Sequence, residues 1–128
     1  MLATVRSRCI AIIFAIIPAS ARTEGIDSLE KGFYLPPDVG CGGIGGAAGI
    51  YFDGHNFSVH YQVCKTFKLS QKNTYKSDCL EGQGANWPKR DEIEKSPDKT
   101  SAVINTVVKT NKSFIMDGTR YNHCKSGR

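Results

Sequence analysis

The chain carries 17 basic and 12 acidic residues over 128 positions, with 40% hydrophobic residues and five cysteines. That length is enough for one small domain and not for two, and the mild positive charge lacks the dense Lys/Arg stripe of a nucleic-acid binder. Nucleic acid is therefore not the expected partner.

Residues 1–21, MLATVRSRCIAIIFAIIPASA, place Arg6 and Arg8 ahead of an apolar run from Cys9 to Ile17 and end in Ala19-Ser20-Ala21. This is the pattern of a secretory signal peptide. The apolar run is about half the ~20 residues that a membrane-spanning helix needs, and no second one follows, so no membrane span is expected. Cleavage after Ala21 would leave fifteen basic against twelve acidic residues, a net +3. It would also leave four cysteines, Cys41, Cys64, Cys79 and Cys124. An even number in a short exported chain reads as a disulfide framework, and the expected location is periplasmic or extracellular.

The segment 22–40 is polar, ends near Pro36-Pro37, and reads as an N-terminal arm containing a first short strand, KGFYL. A disulfide-stapled β domain is expected over 41–128. It opens with GCGGIGGAAGI, too rich in glycine for a helix and without the Gly-Lys-Ser/Thr of a phosphate-binding loop. Asp53-Gly54 then signals a two-residue hairpin, because a type I′ turn requires positive φ at both central positions. After it Phe57, Val59, Tyr61, Val63, Phe67 and Leu69 follow a period close to two, which predicts one long strand.

SQKN turns the chain into TYKSDCLEG. A hairpin centred between Gln71 and Lys72 sets Cys64 opposite Cys79, with β-carbons within ~5.5 Å. Cys64–Cys79 is then the expected short disulfide and Cys41–Cys124 the remaining long one. Glu81 to Thr100 is a long polar loop holding the single tryptophan, Trp87. Trp87 is either a rim packing residue or a partner anchor. SAVINTVVKT and SFIMDGTRYNHC return to strand patterning around a second Asp-Gly, at 117–118. The fold expectation is all-β: a small antiparallel barrel or sandwich of six to eight strands, stapled by two disulfides.

No residue pattern assembles a catalytic set or a metal site. His123 and Cys124 fall on opposite faces of a strand, and export favours oxidised cysteines over zinc. No metal or other cofactor is expected. Metal-free phosphodiester chemistry would draw on His55 or His60 as base, Glu81 as its partner and Arg120 on phosphate. Asn56-Phe57-Ser58 and Asn111-Lys112-Ser113 match the glycosylation sequon, relevant in a eukaryotic secretory pathway.

The pattern KGFY…C…YFDG…C…Y…C-x-E-G…SFIMDGTRYNHC resembles small cysteine-paired periplasmic proteins of bacteria, most of them uncharacterised. Within it GTRY, residues 118–121, is similar to a segment of the periplasmic inhibitors of c-type lysozyme. That resemblance implies a flattened antiparallel barrel with Thr119, Arg120 and Tyr121 at the partner contact. DGHNFSV also resembles a segment of secreted guanyl-specific fungal ribonucleases and their inactive effector relatives, although HYQVCKTF lacks the expected catalytic Glu. The leading expectation is an exported, non-enzymatic binding protein, an inhibitor or envelope-associated module, with a protein or cell-envelope component as partner. The alternative is a small secreted ribonuclease-like enzyme or its inactive relative.

Overall fold

The structure, a computed structural model, describes residues 25–82 and 87–125; the expected signal sequence lies outside the described residues. Among these residues eight strands form: β1 (Gly32–Leu35), β2 (Ile50–Phe52), β3 (Phe57–Val59), β4 (Gln62–Lys68), β5 (Thr74–Glu81), β6 (Thr100–Thr110), β7 (Ser113–Met116) and β8 (Thr119–Cys124). Every ladder is antiparallel, in the order β3-β2-β1-β8-β7-β6-β5-β4. The sheet curls until β3 lies beside β4, giving a nearly closed all-β barrel. No helix among the described residues is long and apolar enough to cross a membrane.

The β4–β5 hairpin has the expected register, with Cys64 opposite Cys79 and a Cα separation of 4.1 Å across their disulfide. Cys41–Cys124 is the second bridge, with Cα atoms 5.6 Å apart, and it pins the glycine-rich loop to the end of β8. On the chain-entropy account these closures stabilise by about 3 and about 4.6 kcal/mol. Asp117-Gly118 makes the expected two-residue turn: Met116 pairs with Thr119, and both turn residues have positive φ, 47° and 88°.

Two expectations are corrected. Asp53-Gly54 does not form a two-residue turn; Phe52 pairs with Phe57 across a four-residue loop, 53–56. The Asp53 side chain is the reason, because its carboxylate accepts from the backbone N–H of His55 (2.9 Å) and of Asn56 (2.7 Å) and organises the longer loop. Nor does one strand run from Phe57 to Leu69. The chain reverses at His60-Tyr61, where Tyr61 takes φ 59°, so β3 and β4 lie side by side about that turn. The apolar alternation runs on through the turn but changes face, with Phe57 in the core and Val63 on the outer cleft, so periodicity alone did not reveal the reversal.

The barrel interior is aromatic. Tyr34, Phe52, Phe57, Tyr75 and Phe114 are buried together with Ile50, and ring centroids of neighbouring aromatics lie 4.9–5.1 Å apart. Such tilted pairs add to area burial, which for each large side chain stabilises by about 1.5–3 kcal/mol. One end is plugged by the turn at 26–28: Ile26 and Leu29 join the core, and the Glu30 N–H donates to the Asn111 carbonyl at 2.8 Å. The segment that reads as a polar arm therefore contributes to the core. The Tyr34 hydroxyl donates to the Glu30 carbonyl at 2.7 Å, and burial, with the Glu30 carboxylate nearby, pushes its pKa up to about 12.

Candidate functional site

The closure between β3 and β4 is made by side chains. The Phe57 N–H donates to Thr66 Oγ1 (3.0 Å), the Cys64 N–H to Ser58 Oγ (3.3 Å) and the Thr66 N–H to Asn56 Oδ1 (2.8 Å). Asn56 is buried, and its Nδ2 reaches back to Asp53 Oδ2 at 3.2 Å. Three short polar side chains thus take up backbone N–H groups that a paired strand would otherwise satisfy.

Arg90 clamps the same seam from outside. Its Nε donates to the Cys64 carbonyl at 3.0 Å, and its Nη2 lies 2.9 Å from Asp53 Oδ2, linking β4 to the β2–β3 loop. Partial burial pushes the Asp53 carboxyl up. The N–H groups of His55 and Asn56, the Asn56 amide and the Arg90 guanidinium outweigh it and hold the pKa below the ordinary carboxylate value. Arg90 stands in a short 3-10 turn at 90–92, followed by Ile93, which is 0% exposed. That apolar anchor, with the 2.8 Å Lys65–Glu94 ion pair, lays residues 90–94 against β4. Within the expected long polar loop, residues 90–94 form a strap over β4, and sequence reasoning gave Arg90 no role. A single Ile in a mixed-charge run was the one available signal.

Beside the seam opens a cleft of about 350 Å³ lined by Phe33, Tyr51, Val59, His60, Tyr61 and Val63, with Arg90 and the loop glycines 45, 46 and 49 at its margin. Tyr51 is 41% and Tyr61 61% exposed, and Phe33 packs on Tyr51 with centroids 5.0 Å apart. The His60 and Tyr61 rings are 3.7 Å apart at the turn. The cleft is built because Phe33 and Tyr51 are cross-strand partners on the outer face, while the reversal at Tyr61 projects its side chain to meet them. The cleft thus presents exposed aromatic surface on the outside of the barrel.

Of the sequence-predicted contact residues, Trp87 lies near this region. Its indole rests against Gly82, where a Cβ would collide with the ring, and it is still 48% exposed. The Gly82 N–H in turn donates to the Tyr61 carbonyl at 2.9 Å. Trp87 is thus at once a rim packing residue and an exposed aromatic group. Thr119, Arg120 and Tyr121 lie on β8, three strands from β3, a separation of roughly 14 Å at ordinary strand spacing. Thr119 and Arg120 are exposed, with Arg120 Nε donating to Asn122 Oδ1 at 3.3 Å. Tyr121 points inward and stacks on Phe114, and burial, then the Asp117 carboxylate, raise its hydroxyl pKa.

No protein-family model, curated protein or solved structure matches the chain.

The residues weighed for phosphodiester chemistry are distributed over the surface. His60 and Glu81 line one small cleft of about 240 Å³ with Tyr61, Gln62 and Gly82. His55 is exposed on the 53–56 loop beside Asp27, 3.5 Å away, and Arg120 is on β8. His123 lies inward against Tyr34 and shares a 2.9 Å hydrogen bond with the Lys31 carbonyl, and Cys124 is in its disulfide. Of the two sequons, Asn111 is exposed in the β6–β7 turn, whereas Asn56 is committed to the seam.

Proposed function

We propose that this is an exported, disulfide-stapled binding protein that acts without catalysis, through the aromatic cleft beside the β3–β4 seam, on a protein or cell-envelope component. The observation that carries the reading is the gathering of Phe33, Tyr51, His60 and Tyr61, with Trp87 close by, on one side of the barrel surface. Two disulfides suit an oxidising compartment, where a domain this small benefits from covalent closure. Arg90, the cationic group on the cleft, is already held by Asp53 and the Cys64 carbonyl, so the free recognition groups are aromatic faces and neutral polar atoms. Flat apolar faces flanked by Gln62 and Ser58 suit stacking with hydrogen bonds at the edges.

The test is co-sedimentation of the oxidised protein with peptidoglycan sacculi and with insoluble chitin and cellulose, together with inhibition of c-type lysozyme. Tyr51→Ala with Tyr61→Ala should lower binding or inhibition at least tenfold while Arg120→Ala and Tyr121→Ala change it less than twofold. The reverse ranking would move the contact surface to β8, as the lysozyme-inhibitor resemblance implies. A second reading, a ribonuclease-like enzyme, is favoured by one observation: His60 and Glu81 share a cleft. RNA cleavage by the oxidised protein, abolished by His60→Ala, would replace the binding reading.

A further inference from the structure

The interior of the barrel is not filled evenly. An eight-stranded barrel is just wide enough to be packed by side chains or to hold one small ligand. At the end closed by Ile26 and Leu29, the inward positions carry Tyr34, Tyr75 and Phe114. Toward the opposite end they carry Cys64, Ser77 and Cys79, which are much smaller, with Ala102 at the rim. A cavity of about 280 Å³ remains there, floored by Phe57, Ile50, Ile104 and Met116 and walled by the Cys64–Cys79 bridge. Ile104 and Met116 are only partly buried by the core they pack on, so their apolar surface faces this space. Among the described residues no charged side chain lines it; the polar groups are Gln62, Ser77, Thr100 and Ser101.

We infer that this barrel mouth is a binding site for a small neutral, largely apolar molecule carrying one hydrogen-bonding group. Size fixes the class: an apolar cavity of roughly 150 Å³ takes one benzene, so this one has room for a fused two-ring compound or its equivalent. The uncharged lining would leave an ionised ligand desolvated without a counter-charge, which excludes carboxylates and amines bound head-inward. Ile104, Met116 and Phe57 would cover the rings, while Ser77 or Gln62 would meet the polar group. The site adjoins the aromatic cleft outside, sharing Val59 and Gln62 at the boundary, but opens into the barrel and does not depend on the function proposed for that cleft.

The experiment uses 1-naphthol as probe on the oxidised protein, followed by methyl and amide NMR. Saturable shifts with a dissociation constant below about 1 mM, and intermolecular contacts from the probe to the Ile104 and Met116 methyls, are the expected result. Ser77→Phe fills the cavity and should weaken binding at least tenfold. Ala102→Leu, at the exposed rim, does so with less demand on folding and stands in if the first variant fails to fold. Tyr51→Ala should leave binding within twofold. Absence of saturation up to 2 mM probe, contacts confined to Tyr51 and Tyr61, or undiminished binding by a folded Ser77→Phe or Ala102→Leu protein would each overturn the inference.

Discussion

Replacing Asn56 tests whether side chains truly close the barrel. Asn56→Ala removes the acceptor of the Thr66 N–H at 2.8 Å and the amide that donates to Asp53, while leaving the Thr66 N–H without its partner in a half-buried seam. Two lost hydrogen bonds at about 1 kcal/mol each, one of them to a charged acceptor, plus about 1 kcal/mol for the unsatisfied donor, give a destabilisation of about 3 kcal/mol. For a domain of this size that is a fall in melting temperature of about 10–20 °C. The readout is urea unfolding of the oxidised protein, with the midpoint falling and the slope unchanged, together with faster amide exchange at Thr66. Asn56→Asp supplies the discriminating control. It keeps the acceptor for Thr66 but sets a second carboxylate where the Nδ2 lay 3.2 Å from Asp53, so one of the pair acquires a raised pKa. A raised folded pKa favours the folded state as pH falls, so its deficit against the unmodified protein should narrow between pH 7 and pH 4. A loss under 1 kcal/mol for Asn56→Ala with unchanged Thr66 exchange would refute the seam account.

Three further outcomes are expected. Cys41→Ser with Cys124→Ser should cost about 4.6 kcal/mol and Cys64→Ser with Cys79→Ser about 3, read as the difference in urea midpoint times slope; equal losses would contradict the loop-length argument. Tyr34, held neutral with its pKa raised to about 12, contributes stability that is intact below pH 10 and declines as pH rises toward 12. Tyr34→Phe should cost about 1 kcal/mol at pH 7 and shrink that alkaline loss, leaving the part due to Tyr121. Gly82→Ala should displace the only tryptophan, shifting its emission to longer wavelength; an unchanged spectrum would show that the indole does not rest on Gly82.

What the sequence disclosed and what it concealed follow from the range of the interactions. The Gln71–Lys72 centre sets the Cys64–Cys79 register by counting alone, and Asp117-Gly118 encodes its turn in two residues. The Cys64–Cys79 bridge and the opposite faces taken by His123 and Cys124 rest on such local rules, and Cys41–Cys124 then follows as the remaining pair. The β3–β4 reversal and the strap do not. The reversal depends on Asn56 and Thr66 meeting across ten residues, and the strap on Arg90 finding Asp53 and the Cys64 carbonyl at the same time. Neither leaves a periodic trace. The aromatic cleft was equally hidden, because only that reversal brings Tyr61 to the cross-strand pair Phe33 and Tyr51.

The same seam explains why both cavities lie where they do. A continuous ladder between β3 and β4 would draw the strands together along their length, whereas side-chain bridges at Asn56, Ser58 and Thr66 hold them at chosen points. Beyond the last bridge the hairpin is free of ladder geometry, and Val59 and Gln62, on either side of the His60-Tyr61 turn, line the outer cleft and the barrel mouth alike. Closing the seam with an ideal ladder would add stability at the expense of both spaces. Arg90 fits this logic, because it braces the seam from outside, at the margin of the cleft, and adds no side chain to the barrel interior. Loss of Arg90 should therefore loosen the hairpin locally, raising amide exchange at Cys64 and Thr66 before it lowers global stability.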